Sequence, residues 1–487
     1  MSNQLRLGVL LKVSLLVVLG ALVLAGGAAR ADYLTDDSPI PTIPIAMNPT
    51  ITFTSTPLNP YKRYLDGQWF GSTVASDGKL YSGSSTHSDI ASSIFFQYDP
   101  TISGIRMLTD DLSRTCNETV PGAVPQGKLH SPIVELNGYL YFAPHLGDYS
   151  ANGYANYPGS HLVSYRMGSA EAGTPELHDL GIISPRYTNY AGISADPVNN
   201  RIYVATTGWW SGAQGGSLYR YNADGTGRTP ITGAGTDIGA HFFEFVDQRG
   251  DMWYSHSSAA GTLYKVTGAT GAVTAYPNAM PQARRRLSNT ANPENSFRFF
   301  DWGAKIDGNR AMFSMLRDGA FWEFDASKVL DGDPSDAFKM VKWVGTHGSG
   351  SALAGNNLYY FQSADPNWDD NGDGDKARDL HLKSIDITNP GTITDWGRIV
   401  DQAGRTPYRV SALSADTQGR VFATGDWRTL PNDPVNYKSL RRLNGTSGNY
   451  VDLWRGEFFA TVTVPEPGTL TLLVVAGAAL LRRRRRS

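Results

Sequence analysis

Seven short turns divide the chain into units of similar length. Each turn is a dipeptide rich in Gly, Asn or Asp between two apolar, alternating segments, which is a strong short-range signal for a β-hairpin. They are Asp77-Gly78, Asn137-Gly138, Asn199-Asn200, Arg249-Gly250, Asp307-Gly308, Gly355-Asn356 and Gln418-Gly419. Successive turns lie 48 to 63 residues apart, and the units average nearly 57 residues. That period is too long for WD40 repeats and is typical of a propeller with extended loops.

Several units continue into a third aromatic-rich strand, such as Ile94–Tyr98 and Leu218–Tyr221, and helical periodicity is weak. We therefore predict an all-β fold, a single seven-bladed β-propeller over residues 71–463. Residues 32–70 form an N-terminal extension, in which Ile51–Phe53 is expected to pair with Phe459–Val462 as a closing strand. An array of two-sheet sandwiches is the alternative, and the lack of linkers between units argues against it.

Both ends of the chain carry export signals. Residues 1–31 have a weakly basic start, an apolar run from Val13 to Leu24 and Ala29-Arg30-Ala31, which together indicate a cleaved signal peptide. In residues 464–487, Pro465-Glu466-Pro467 precedes an apolar stretch at 470–481 and five arginines. That stretch is short for a stable membrane helix, which needs about 20 apolar residues.

The order Pro-Glu-Pro, short membrane stretch, basic end resembles the PEP-CTERM sorting signal of Gram-negative bacteria. The resemblance implies transient membrane insertion, removal of the tail by an exosortase-type membrane protease, and a location in the cell envelope, at the cell surface or outside the cell. An ordinary C-terminal membrane anchor is the alternative. Neither reading bears on chemistry.

Charge and cysteine content narrow the function classes. Eight of the 43 basic residues and one of the 45 acidic residues lie in the two terminal segments, leaving 35 basic against 44 acidic residues, a charge of about −9. A body of that charge has no global field that favours nucleic acid. Cys116 is the single cysteine, so no internal disulfide can form, and we expect its thiol to be buried.

Two of the units carry a histidine on each arm of their inner hairpin. His130 and His145 flank the second turn, His241 and His256 flank the fourth, and both pairs are 15 residues apart. Because a hairpin brings its ends together, each pair is expected to meet at one end of its blade. Histidines satisfied by backbone carbonyls at the strand ends are the plainer alternative.

The first pair carries a family resemblance. Gly127–Pro132 and Gly138–His145, followed by Tyr187–Ile193, resemble the twin-histidine hairpin of seven-bladed propeller polysaccharide lyases, notably ulvan lyases. The resemblance implies β-elimination on uronic-acid-containing polysaccharides, with Tyr190 acting beside His130 and His145. That family also has an arginine after the following strand, where this chain has Thr206-Thr207-Gly208 and then Trp209-Trp210.

The residue types suit that chemistry. β-Elimination needs a base for the proton α to a carboxylate, an acid for the leaving oxygen, and groups that stabilise the enolate-like charge. His130 and His145 are candidates for base and carboxylate partner, and Tyr190 for acid or base. Arg409, or less well Arg284–Arg286, could replace the missing arginine. Trp209 and Trp210 could stack on sugar rings or pack between blades.

Two metal sites are also predicted. Residues 369–375 contain the D-x-N-x-D-G pattern of a calcium loop, but the position for the closing Glu is held by Leu380. The candidate Ca²⁺ ligands are Asp369, Asn371, Asp373 and Asp375. His241, His256 and His347 could hold a transition metal such as Zn²⁺ near the channel.

Two functions follow from these patterns. The first is an exported lyase acting on an acidic polysaccharide. The second is a non-catalytic propeller that binds glycan or protein in the cell envelope or extracellular matrix, which the missing arginine and the acidity favour. A hydrolase using paired carboxylates ranks lower, because Glu244, Asp301 and Glu323 are scattered along the chain.

Overall fold

The computed structural model of the protein describes residues 43–49, 51–57, 65, 70–86, 89, 91–102, 104–118, 122–148, 150–190, 192–208, 216–231, 243–283, 298–315, 318–329, 332–345, 350–363, 380–399, 409–428, 439–443 and 450–463. The described part of the chain is an all-β propeller. Its helices are limited to α1 (Leu112–Thr115), α2 (Ala151–Asn156) and three 3₁₀ turns at Ser257–Ala259, Ala326–Lys328 and Ser335–Ala337. None of the described helices is long and apolar enough to cross a membrane, and the stretch 470–481 lies outside the described residues.

The N-terminal strands form a hairpin, β1 (Ile43–Pro49) and β2 (Ile51–Pro57). Five antiparallel four-stranded sheets follow, each made of strands consecutive in the chain. The first two sheets are β3 (Ser72–Val74), β4 (Leu80–Ser84), β5 (Ile94–Asp99), β6 (Gly104–Thr109), then β7 (Val134–Leu136), β8 (Tyr139–Phe142), β9 (His161–Arg166) and β10 (Leu177–Ile182).

The next three sheets repeat this order. The third is β11 (Ile193–Asp196), β12 (Arg201–Thr206), β13 (Ser217–Asn222) and β14 (Thr229–Pro230). The fourth is β15 (Glu244–Val246), β16 (Met252–Tyr254), β17 (Leu263–Val266) and β18 (Val273–Tyr276). The fifth is β19 (Phe300–Lys305), β20 (Arg310–Met315), β21 (Ala320–Asp325) and β22 (Phe338–Trp343).

The remaining strands belong to one ten-stranded sheet. They are β23 (Ser351–Ala354), β24 (Asn357–Ser363), β25 (Leu380–Asp386), β26 (Ile393–Ile399), β27 (Arg409–Ala415), β28 (Arg420–Arg428), β29 (Ser439–Leu443) and β30 (Tyr450–Thr463), together with β1 and β2. Strand β1 pairs with β26, and β2 pairs with β30 in a register that places Phe53 opposite Val462.

The prediction of seven blades was wrong, because the described strands form six hydrogen-bonded sheets. All seven predicted turns do connect the first two strands of a unit. The count falls to six because the β1–β2 hairpin lies between β26 and β30 and joins the last two units through backbone hydrogen bonds.

The first strand of every unit lines one central cavity of about 430 Å³. These strands are β3, β7, β11, β15, β19, β23 and β27. The hydrophobic core lies between neighbouring sheets, as where Phe95 of the first sheet packs on Phe142 of the second with ring centroids 4.5 Å apart. Each buried aromatic ring removes roughly 150–250 Å² from water, so these interfaces provide much of the stabilisation.

Candidate functional site

The second inner hairpin extends beyond its strands and carries both histidines. Lys128 and His145 form an antiparallel bridge, with the Lys128 N–H donating to the His145 carbonyl at 2.9 Å and the His145 N–H donating to the Lys128 carbonyl at 2.7 Å. Nearer the strands, the Ser131 hydroxyl donates to the Ala143 carbonyl at 3.1 Å and accepts from the Ala143 N–H at 3.0 Å. These contacts fix the arms beside each other.

Two glycines allow the arms to pack this closely against the first sheet. A Cβ on Gly127 would lie 2.6 Å from the Gly147 Cα, and one on Gly147 would lie 2.4 Å from the Thr86 carbonyl oxygen. The Thr86 N–H donates to the Gly127 carbonyl at 2.7 Å. Because the neighbours are backbone atoms, a larger residue at either position requires the hairpin arms to move.

Tyr190 comes from the segment between the second and third sheets. Its neighbour Asn189 is fully buried and donates through Nδ2 to the Gly192 carbonyl at 3.0 Å and the Ala205 carbonyl at 2.6 Å. The Asn189 N–H donates to Ser160 Oγ at 2.7 Å. Tyr190 is thereby attached to both sheets.

The three predicted residues meet. The ring centroids of His130 and His145 are 4.8 Å apart, and each histidine ring lies 5.1 Å from the Tyr190 ring. His130 is 3% exposed and His145 is fully buried, whereas Tyr190 is partly exposed. The hairpin argument for the proximity of His130 and His145 is confirmed.

Tyr190 and His145 differ in which of their atoms carries a proton. Burial, and next the negative charge of Asp301, raise the pKa of Tyr190 well above the ordinary tyrosine value, so its hydroxyl stays protonated at neutral pH. His145 Nδ1 contacts the carbonyl oxygen of Leu146. Since a carbonyl can only accept, Nδ1 carries a proton, and when the ring is neutral its Nε2 has the lone pair.

Sequence reasoning did not associate two neighbours with this site. Tyr154, on α2, influences Tyr190 electrostatically, and its own pKa is raised to about 12 by burial and by the charge of Asp148. Asp301, at the start of β19, is 3% exposed and reaches Tyr190 from a different sheet. Neither carries a local signal, because their position depends on how separate sheets are arranged around the cavity.

The structure describes only some of the other predicted site residues. His256 is 3% exposed and stacks on Tyr264 at a centroid distance of 5.1 Å. Arg409 begins β27, opposite Asp426 of β28. The remaining predictions fall outside the described residues: Trp209, Trp210, His241, His347, Arg284–Arg286, and the calcium candidates Asp369, Asn371, Asp373 and Asp375.

The carboxylates of the hydrolase alternative have separate partners. Glu244 is buried and accepts a hydrogen bond from the Ser194 hydroxyl at 2.6 Å. Glu323 lies 3.4 Å from an Arg310 nitrogen. Asp301 alone among the three influences Tyr190.

No protein-family model and no curated protein matches this chain. It is similar to the β-propeller domain of Cps50 (Swd1) from Myceliophteria thermophila, with 10% identity, 87% of this chain and 100% of that chain covered, and a TM-score of 0.41. An ulvan lyase bound to -[GlcA(1-4)Rha3S]- is 11% identical, with 80% and 85% covered and a TM-score of 0.33. The calcium-binding protein regucalcin of Agrobacterium tumefaciens is 11% identical, with 72% and 95% covered and a TM-score of 0.35. No function is drawn from likenesses at this level.

Proposed function

We propose that this protein is an exported polysaccharide lyase that cleaves uronic-acid-containing glycans by β-elimination. The observation that supports it is the mutual contact of His130, His145 and Tyr190, two of them buried and the third partly open to solvent. One neutral imidazole and one protonated phenol side by side supply the base and the acid of an elimination.

In the proposed reaction, His145 Nε2 takes the proton from the carbon α to the uronate carboxylate. The electron pair of that C–H bond forms the new C=C bond, the bond from the β carbon to the glycosidic oxygen breaks, and Tyr190 gives its proton to the leaving oxygen. The tyrosine proton is then restored by transfer from the protonated His145 through solvent. His130 faces the carboxylate and stabilises the charge that develops on it.

Arg409 is the proposed partner of the substrate carboxylate. It begins β27, a first strand of the ring, just as His130 precedes β7 and Tyr190 precedes β11. First strands that line one cavity in the same direction bring their starts to one end. Trp209 and Trp210 complete the proposal as sugar-stacking residues, and Asp369–Asp375 as a Ca²⁺ loop.

The deciding experiment incubates the full-length chain with a panel of uronic-acid polysaccharides, with and without Ca²⁺, and follows the near-ultraviolet absorbance of the unsaturated product. Tyr190→Phe and His145→Ala are expected to lower kcat/KM by about 10²–10⁴-fold, the usual contribution of an acid or base. The matched controls Tyr187→Phe and His178→Asn are expected to retain the rate.

A flat absorbance trace across the panel would overturn the lyase proposal. Retained glycan binding in that case would favour the non-catalytic propeller. The specific observation for this alternative is that β12 ends at Thr206 and is followed by Thr207-Gly208-Trp209-Trp210, without an arginine.

Export belongs to the same proposal. The signal peptide at 1–31 and the tail at 464–487 would send the protein through the inner membrane to the cell surface, with an exosortase-type protease as a processing partner. Intact-mass measurement of the protein recovered from a Gram-negative host with such a protease tests this. A mass that retains both segments would contradict it.

A further inference from the structure

Cys116, His161 and Asp179 form a compact cluster outside the histidine–tyrosine site. One ligand atom from each of the three side chains lies within 4.8 Å of the others. The residues come from different elements: Cys116 follows α1, His161 begins β9, and Asp179 lies on β10. A fourth group, Glu118, places Oε1 3.7 Å from His161 Nε2.

The cluster is buried and its geometry is fixed. Cys116 is 2%, His161 5% and Glu118 8% exposed, so the prediction of a buried thiol is confirmed. Asp179 Oδ1 lies 2.8 Å from His161 Nδ1 and accepts the Gly181 N–H at 2.8 Å, next to a bulge in the β9–β10 pairing. Glu118 Oε1 accepts from Gln126 Nε2.

Hydrogen bonds within the cluster do not satisfy all of its polar atoms. His161 Nε2 is buried and has no hydrogen-bond partner among the described residues. Burial, followed by the charges of Asp179 and Glu118, raises the pKa of the Cys116 thiol well above its usual value. A thiol, an imidazole and a carboxylate at this spacing are a common ligand set for zinc.

We propose that Cys116, His161 and Asp179 bind one divalent transition-metal ion of the zinc type. Tetrahedral ligation at about 2.0–2.3 Å places the ligand atoms roughly 3.3–3.8 Å apart, so His161 Nδ1 and Asp179 Oδ1, now 2.8 Å apart, must separate slightly to admit the ion. The ion occupies the place of the proton that His161 Nδ1 and Asp179 Oδ1 share, and water completes the coordination from the partly exposed side of Asp179.

The protons balance in this scheme. As the metal–sulfur bond forms, the Cys116 thiol releases one proton to solvent. The His161 proton moves from Nδ1 to Nε2, where it faces Glu118. A ligating histidine whose other nitrogen donates to a carboxylate is the usual outer-sphere arrangement of protein metal sites.

A chain of hydrogen bonds links this site to the segment that carries Tyr190. Gln126 Nε2 contacts Glu118, and Gln126 Oε1 accepts from the Tyr157 hydroxyl at 2.6 Å. The Tyr157 hydroxyl lies 3.0 Å from Ser160 Oγ, which accepts the Asn189 N–H at 2.7 Å. The ion is therefore expected to stabilise the framework of the candidate site without contacting substrate.

The test is a Co²⁺ titration of the metal-free, full-length chain, followed by absorption spectroscopy. Because the chain has one cysteine, a thiolate-to-cobalt charge-transfer band can come only from Cys116. We expect such a band with the visible bands of a tetrahedral ion, saturating at one equivalent and displaced by Zn²⁺. Absence of the thiolate band would overturn the proposal, even if Co²⁺ binds elsewhere.

Variants separate ligation from folding. Cys116→Ser should abolish the thiolate band, and Asp179→Asn, at a partly exposed position, should weaken Co²⁺ binding while circular dichroism stays unchanged. The exposed neighbour His178→Asn is the matched control and should retain the band. An unchanged band in folded Asp179→Asn and His161→Asn would exclude this ligand set.

None of these measurements depends on lyase activity, so they remain informative if the proposed function fails.

Discussion

At the residue scale, the candidate site depends on two side chains in different protonation roles, Tyr190 as the acid and His145 as the base. Tyr190 holds its proton because burial and Asp301 oppose the phenolate. His145 has its Nδ1 against a carbonyl, which leaves Nε2 as the basic atom. An elimination needs this division between acid and base.

The raised pKa of Tyr190 predicts how activity depends on pH. An acid must be protonated to act, and Tyr190 remains so as the pH rises through 10, the ordinary value of tyrosine. We therefore expect that deprotonation of Tyr190 does not reduce kcat/KM at pH 10 or below. Initial rates over the alkaline range check this, with circular dichroism at each pH. A decline that follows ordinary tyrosine titration would contradict it.

At the element scale, the site is a strand-to-strand contact that requires small residues. Gly127 and Gly147 let the backbones of the two hairpin arms pack directly against each other and against the first sheet. The two sheets are also joined by Glu171, whose Oε1 lies 2.8 Å from Lys79 Nζ and 2.9 Å from Gln97 Nε2. Each contact gives a prediction.

Gly147→Ala should destabilise the protein by about 1–3 kcal/mol, since the new methyl group would meet the Thr86 carbonyl oxygen at 2.4 Å. Displacement of His145 should also reduce activity. Urea unfolding and the lyase assay measure the two effects. The control is Gly104→Ala, where the nearest atom is the end of the Ile102 side chain at 3.1 Å, and a similar loss there would refute the steric explanation.

The substitution Glu171→Gln should reduce the loss of folding stability that the protein shows at acidic pH. Burial acts to raise the pKa of Glu171, but hydrogen bonds from Lys79 and Gln97 outweigh it and lower the value to about 2, from 4.5. Because the pKa is lower in the folded state, ionised Glu171 stabilises the folded protein above pH 4.5, and this contribution to stability is lost as the pH falls towards 2. The side chain is 35% exposed, so we expect an effect of about 1 kcal/mol or less.

Thermal unfolding of the wild type and Glu171→Gln at pH values across that window makes the comparison. The difference in Tm should be largest at neutral pH and shrink as the pH falls. Glu171 Oε1 also lies 3.1 Å from an Arg106 nitrogen. A difference in Tm that stays constant with pH would show that the ion pairs of Glu171 with Lys79 and Arg106 do not control it.

At the scale of the whole molecule, seven first strands line one cavity although the described strands form six sheets. The N-terminal hairpin accounts for the difference, because β1 pairs with β26 and β2 pairs with β30. The chain thus closes its last two units with strands from its beginning, which ties distant parts of the sequence together.

Deleting residues 43–57 should lower the Tm and leave β26 and β30 with unpaired edges. Exposed edges are susceptible to aggregation and cleavage. Limited proteolysis followed by mass spectrometry should show new cuts concentrated in residues 351–463, while residues 72–343 stay resistant. Cuts spread evenly over both parts, or an unchanged pattern, would contradict a closing role for the hairpin.

The sequence by itself determined the features that depend on residues close together in the chain. The seven hairpin turns follow from local turn chemistry, and the meeting of His130 with His145 follows from one hairpin. The predicted pairing of the segment around Phe53 with the one around Val462 is also present, as β2 with β30. The tertiary structure decided the pairing of β1 with β26, the approach of Asp301 to Tyr190, and the cluster of Cys116 with His161 and Asp179. Those contacts depend on how separate strands and sheets are placed in space, and no spacing along the chain encodes that directly.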